Sequence, residues 1–439
     1  MTARVLLSHP GCAPFVQNAA RALHEAGLLT AYVTTFSYWP DRWSGRVLRN
    51  SFRLAYRDPE KELRRRLITE VPQELVINHP IPEFLRMGTS KLGLGEIAAN
   101  FVWERTEKWF DRMVARRHLN GVDAAYGYEH ACLETFRAQK RRGGICIYDM
   151  PTCHYSTKAK LVAEELQKFP QALTAIDTRI GRTAPGLNRR KAAELALADR
   201  VVVASRFVLS SLIQVGVPTE RIVVVPSGAP PVQRDVHHPD PRKFVILAAG
   251  RHTILKGTPY LLEAWRGLLA PRDVELWLVG KWQLPNSLLR GLPGKVFVTG
   301  NVPREELFSL FDRANVLVFP TLSEGLALTP LEAMARGLPV ITTPNSGADA
   351  FIQDRENGRL IPARDAAALA DALKWSIEHP SELLEMGSRA AETMDKWQWH
   401  HYHVALGKVV SDFLQTEKEN CGIEGATPDG QQCSALHCA

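Results

Sequence analysis

Two acids, Glu324 and Glu332, stand in the otherwise apolar run S-E-G-L-A-L-T-P-L-E-A-M-A-R-G (323–337), and two cations, Arg251 and Lys256, stand in G-R-H-T-I-L-K-G (250–257). Each loop follows an apolar run that reads as a buried strand, N-V-L-V-F-P (315–320) before the acids and F-V-I-L-A-A-G (244–250) before the cations. In an open parallel sheet the carboxyl ends of the strands line the ligand crevice, so both loops open on it. Two cations there neutralise a diphosphate, each charge-assisted bond contributing on the order of 1.5–3 kcal/mol. The backbone N–H groups that follow Gly325, with the helix N-terminus behind them, suit an anion such as phosphate. Carboxylates beside a phosphate repel it unless they aim elsewhere on the same ligand, and hydroxyl groups are their natural targets. The ligand so described has phosphate in the middle and hydroxyl-bearing sugars at both ends.

Each pair also has a plainer reading. Thr329 suits a helix N-cap, Pro330 the first helical position, and Gly337 the close before Pro339. Thr329-x-x-Glu332 is then a capping box, and the spacing alone favours that use of Glu332. Arg251 and Lys256 read equally as solvated loop cations.

The elements that must position these loops alternate along the chain. V-L-L-S (5–8), L-L-T-A-Y-V-T-T (28–35), D-A-A-Y-G-Y (123–128), I-C-I-Y-D (145–149), R-V-V-V-A-S (200–205) and R-I-V-V-V-P (221–226) form one strand series. F-V-I-L-A-A-G (244–250), V-E-L-W-L-V-G (274–280), K-V-F-V-T-G (295–300), N-V-L-V-F-P and P-V-I-T-T (339–343) form a second. Strands separated by helical stretches argue for parallel sheets with crossover helices, and so for two doubly wound, Rossmann-like α/β domains facing a cleft. The first covers residues 1–232 and the second 243–395, joined through the proline-rich stretch 226–243. An aromatic helix over 396–415 is expected to pack back across the junction, and 416–439 reads as a disordered tail. Residues 40–120 fit the alternation poorly and read as a helical, membrane-facing insertion, where Arg42, Arg46, Arg49, Arg53 and Arg57 form one helical stripe suited to anionic lipid or plain solvent.

At 439 residues the chain exceeds one ordinary core, and its net charge of +7 fits an anionic partner. Nucleic acid is disfavoured, because no basic–aromatic stacking series or recognised module is present. The first residues do not read as a signal peptide and no stretch approaches a membrane span. The seven scattered cysteines read as reduced thiols, which points to the cytoplasm and, with the Arg stripe, to the inner face of the plasma membrane. No metal or cofactor is expected: Cys433-S-A-L-H-Cys438 is too isolated for a zinc site. Gly93-x-Gly95-x-x-Ala98 matches a dinucleotide fingerprint, but no β-branched strand precedes it. It leaves a dehydrogenase as the weakest alternative.

These loops, with A-A-G-R-H-T-I-L-K-G, F-V-T-G-N-V-P-R-E-E-L, V-F-P-T-L-S-E-G-L-A-L-T-P-L-E-A-M-A-R-G-L-P-V-I-T-T and G-A-D-A-F-I-Q-D-R-E-N-G-R-L-I-P-A-R-D, resemble glycosyltransferase family 4, whose members have the two-domain B-type fold and an E-x7-E motif. The resemblance implies a nucleotide-diphosphate sugar donor in the second domain, with Arg251 and Lys256 on the diphosphate, Glu332 on the ribose and Glu324 on the donor sugar. Gly325, Leu326, Ala327 and Leu328 would present backbone amides, although the family usually has Phe and Gly where this chain has Leu326 and Ala327. It further implies a histidine near the reacting carbon, His154 or its rival His130, and Gly11 where acceptor or diphosphate approaches the backbone. The expected activity is a metal-independent, retaining transfer of a sugar to an acceptor hydroxyl on a lipid-linked or cell-envelope glycan. The alternatives are a sugar-nucleotide 2-epimerase and a non-catalytic nucleotide-sugar-binding protein.

Overall fold

Runs of Val, Ile and Leu without polar breaks bury both faces of a strand, which requires helices on both sides of the sheet. The computed structural model shows two such sheets. It describes residues 3–424 apart from 43, 44, 48, 51–57, 82, 85, 86, 88–94 and 269–272, and only the backbone of 59, 61, 62, 95–100, 175–183 and 420–424.

The first sheet contains β1 (Val5–Ser8), β2 (Leu29–Thr34), β3 (Val76–Asn78), β4 (Ala124–Tyr128), β5 (Ile145–Met150), β6 (Arg200–Val203) and β7 (Ile222–Val224), in the order β3-β2-β1-β4-β5-β6-β7. The second contains β8 (Phe244–Ala249), β9 (Val274–Val279), β10 (Lys295–Gly300), β11 (Val316–Phe319), β12 (Val340–Thr342) and β13 (Arg359–Leu360), in the order β10-β9-β8-β11-β12-β13. All the pairings are parallel. The chain winds outward from β8 to β10 and returns on the other side as β11. The switch point therefore lies between β8 and β11, where an open sheet of this kind binds ligands.

Each sheet carries an apolar cluster on both faces. The connector meets the end of the second domain side by side: the Ala229 N–H donates to the Trp397 carbonyl at 3.0 Å, and the Trp399 N–H donates to the Ala229 carbonyl at 3.2 Å. The last helix, Trp399–Glu424, then returns to the first domain. Its Tyr402, Leu406, Val410 and Phe413 join Val5, Leu7 and Tyr126 in one core, and His403 Nε2 lies 2.8 Å from Asn18 Oδ1. This helix runs on through Thr416, and residues 425–439 lie outside the described residues.

Residues 40–120 are not wholly helical, because they include the edge strand β3, three residues long and too short for its pattern to show. Arg42 and Arg46 are exposed and Arg49 is half-buried, whereas Arg53 and Arg57 of the proposed stripe lie outside the described residues. Gly93 of the fingerprint also lies outside them, and Gly95 opens the helix Gly95–Arg117. Among the described residues no helix is long and apolar enough to cross a membrane.

One helix of the first domain reaches the second. Tyr155–Lys168 ends at Phe169, which packs edge-on against Tyr260 with ring centroids 5.0 Å apart inside the second domain's core. Arg364, held at φ 71°, grips this helix through Glu164 at 2.7 Å and Glu165 at 2.6 Å. Glu165 is only 2% exposed, so losing Arg364 leaves a buried carboxylate without its counter-charge, though still hydrogen-bonded to Tyr260. Arg364→Ala is expected to lower stability by roughly 1–3 kcal/mol, read as the thermal midpoint, with Glu165→Gln in the same chain restoring most of the loss. A midpoint unchanged in the single mutant would show that this contact does not tie the domains.

Candidate functional site

Both predicted loops meet at the β8–β11 switch point. The Leu322 N–H donates to the Leu255 carbonyl at 2.8 Å, and Thr321 Oγ1 donates to the same carbonyl at 3.1 Å. Between the loops lies a cavity lined by Gly250, Arg251, His252, Lys256, Phe319 and Pro320, among others. Gly257 makes this join possible. It has φ 69°, and a Cβ added there would lie 1.8 Å from the Pro320 carbonyl oxygen. No other residue type fits both constraints.

Lys256 Nζ forms an ion pair with Glu324 Oε1 and lies 5.3 Å from the centre of the Phe319 ring. Burial first, and then the positive charges of Arg251 and Lys158, push the Lys256 ammonium down to about 8. The lysine thus stays mostly charged at neutral pH but gains strongly from an added anion. Arg251, by contrast, is exposed.

The acid loop is held from its far side by the turn after β12. The Glu324 N–H donates to the Asn345 carbonyl at 3.0 Å and the Ala327 N–H to the Ser346 carbonyl at 2.9 Å. The Ala327 amide, expected to face a ligand, is therefore already used. Ala327 is also 6% exposed, so its methyl is buried, and Leu326 packs against the apolar cluster that holds Leu331 and Met334.

The helix begins two residues earlier than its sequence suggests, at Leu328, with Ala327 rather than Thr329 as N-cap and no side-chain capping bond. Glu332 therefore does not close a capping box. Its Oε1 accepts from Arg304 Nη2 at 2.7 Å, a partner absent from the sequence reading. Burial raises the Glu332 carboxyl and Arg304 partly offsets that rise.

The first domain closes over the same loop. A Cβ on Gly325 would lie 2.0 Å from the Pro151 carbonyl oxygen, and Cys153 Sγ is 3.1 Å from Ser323 Oγ. His154 follows Cys153 and caps its own helix, its Nδ1 accepting from the Ser156 N–H at 3.3 Å. That leaves Nε2 for any other partner. Burial, and then the charge of Lys191, lower its pKa, so the ring is neutral at pH 7. His130, after β4, has φ 76°, donates its N–H to Glu194 at 2.9 Å and accepts from Arg190 Nε at its carbonyl at 2.8 Å. Burial, helped by Lys191, Arg190 and Lys158, pushes it down to about 3. Gly11 is less open than expected, because its N–H donates to His9 Nδ1 at 2.9 Å and its carbonyl accepts from Tyr32 Oη at 3.1 Å. The contacts from Cys153, Ser323 and Arg304 had no signal in spacing, since each joins residues distant in sequence.

Among the described residues no group of three or more metal-ligating side chains occurs. Gly257→Ala is expected to cost roughly 1–3 kcal/mol of stability through overpacking and to abolish any rise in the thermal midpoint given by a nucleoside diphosphate. Retention of both would contradict the close join of the two loops.

Comparison with known proteins places this geometry. Residues 243–379 match the family described as Glycosyl transferases group 1. Over 212 residues the chain is 30% identical to MMP alpha-(1->4)-mannosyltransferase of Mycolicibacterium hassiacum, an alignment covering 46% of this chain and 51% of that protein. Over 330 residues it is 28% identical to D-inositol 3-phosphate glycosyltransferase of Pseudarthrobacter chlorophenolicus, covering 66% of this chain and 78% of that protein. The chain thus spans only about half the length of the first of these relatives. The structure of sucrose-phosphate synthase from Thermosynechococcus elongatus superposes with a TM-score of 0.58 at 18% identity, covering 94% of this chain and 100% of that one. The protein therefore has the B-type glycosyltransferase fold of two Rossmann-like domains, and residues 243–379 of its second domain are similar to the group 1 glycosyl transferases.

Proposed function

We propose that this protein is a retaining hexosyltransferase that moves a sugar from a nucleoside diphosphate sugar to an acceptor hydroxyl. The observation that carries the reading is the meeting of Lys256 and Glu324 at the β8–β11 switch point, with Arg251 on the rim. A cation and an acid in contact there divide one ligand between them: the diphosphate goes to Lys256 and Arg251, and the donor sugar's hydroxyls go to Glu324. Glu332 takes the ribose. The free N–H groups in the acid loop are then those that Asn345 and Ser346 leave unused.

In the reaction an acceptor hydroxyl oxygen bonds to the anomeric carbon as the bond from that carbon to the diphosphate oxygen breaks, and the hydroxyl proton passes to the leaving diphosphate. Negative charge grows on the leaving phosphate. Preorganised cations meet that charge, and this electrostatic contribution is the main one the site offers. It takes the role that a divalent ion has elsewhere, so activity persists with a chelator present. Of the two candidate histidines, His154 is favoured, because its loop is the one that touches the donor loop through Pro151 and Cys153. The acceptor enters from the first domain. The acceptor in this reading is a glycan or lipid-linked sugar handled beside the cytoplasmic face of the membrane, and the net charge of +7 suits such an anionic surface.

A thermal-shift panel of UDP, GDP and ADP, run with chelator and followed by donor hydrolysis, tests this directly. One of the three should raise the midpoint. Arg251→Ala and Lys256→Ala should each lower turnover roughly 100-fold, by analogy with loss of one oxyanion donor. Near-full turnover in both would defeat the assignment.

A further inference from the structure

The pairing of Glu332 with Arg304 lies outside the roles assigned so far. Arg304 opens the helix Arg304–Arg313, which follows β10, whereas Glu332 lies in the helix after β11. The two come from opposite sides of the β8–β11 crevice in the strand order. The Arg304 side chain is 57% exposed and its guanidinium lies 5.1 Å over the Phe308 ring, while the Glu332 side chain is only 15% exposed. The acid is thus the buried partner and the arginine a lid resting on an aromatic face.

We infer that Arg304 is a positioning residue for the nucleoside end of the donor, holding the Glu332 carboxylate ionised and fixing Oε1 so that Oε2 is presented to a vicinal diol. This rests on the proposed nucleotide-sugar site. A buried carboxylate left alone takes up a proton at higher pH. A protonated carboxyl has lost one acceptor and cannot take both hydroxyl hydrogens of a diol.

Glu305 and Glu306 follow Arg304 in its helix, and Arg336, whose guanidinium lies 5.0 Å over the same Phe308 ring, pairs with Asp312 at 2.6 and 2.7 Å. The helix Pro380–Asp395, which packs on the Glu332 helix, contributes Ala390 and Met394 to the cluster that holds Leu331 and Met334. The Glu332 carboxyl, raised by burial, is opposed by Arg304 as its acting charged neighbour.

The test is calorimetric titration of the full chain and of Arg304→Met, Arg304→Lys and Glu332→Gln. The probes are whichever of UDP, GDP or ADP binds the wild type best, and inorganic pyrophosphate, each at pH 6 and pH 8. Arg304→Met should weaken the nucleoside diphosphate roughly tenfold, with the larger loss at the lower pH, because burial already raises the Glu332 carboxyl and losing Arg304 raises it further. Pyrophosphate, which reaches only Arg251 and Lys256, should bind Arg304→Met as it binds the wild type. Arg304→Lys should recover most of the affinity at pH 6, and Glu332→Gln should lose it at both pH values. Equal binding by Arg304→Met and wild type at both pH values would overturn the inference alone. Tighter binding by Arg304→Met would also overturn it, by showing that Arg304 competes with the ligand. A wild type that binds pyrophosphate and none of the three nucleotides would overturn the site reading itself.

Discussion

The structure turns on a cation and a carboxylate brought into contact by two loops that leave adjacent parallel strands in opposite winding directions. Lys256 follows β8 and Glu324 follows β11, and these strands are neighbours only because the chain reverses its direction of winding between them. The pair is partly buried, with side chains 26% and 20% exposed, so each charge is costly without the other. Such a pair is a poor source of stability but a good reservoir for binding. A diphosphate that replaces the carboxylate beside the ammonium brings more charge, and the carboxylate is released to accept hydroxyls. The same logic recurs one turn further on, where Glu332 is held by Arg304.

The remaining architecture brings the first domain to that pair. The loop after β5 touches the acid loop at Gly325 and Ser323, and the helix that starts beyond His154 ends on Tyr260 and Arg364 of the second domain. Tyr260 lies in the helix Thr258–Gly267, directly after the Lys256 loop. One rigid helix therefore links the loop holding His154 to the helix behind the donor-binding lysine. The last helix, Trp399–Glu424, fixes the other side by joining the first domain's core after the chain has left the second.

Much of this was legible in the sequence, for a physical reason. Strands buried on both faces must be almost wholly apolar, so β8, β9, β11 and β12 appear as short β-branched or aliphatic runs, each within a residue or two of its bounds, and the largely exposed edge strand β10 keeps such a run as well. The edge strands β3 and β13 were not legible, because three and two residues are too few to show a pattern. The loops at the switch point were legible because charged residues interrupt an apolar context at strand ends. The helix start was misplaced. Thr329 and Pro330 form a good local N-cap, but the Ala327 N–H is held by Ser346, and this tertiary bond sets the first turn two residues earlier. The capping role expected of Glu332 failed likewise, because Arg304, distant in sequence, claims its carboxylate. Gly11 showed the limit of reading a glycine as open backbone, since His9 and Tyr32 fill its hydrogen-bonding groups.

The most direct measurement of the central claim is the ionisation of Lys256 itself, followed by nuclear magnetic resonance of its Nζ with and without a bound nucleoside diphosphate. In the free protein the ammonium should titrate near 8. On binding, the diphosphate should replace Glu324 as its partner and raise that value well above 8. A Lys256 resonance that titrates unchanged in the presence of saturating nucleotide would show that the diphosphate lies elsewhere and would contradict the account.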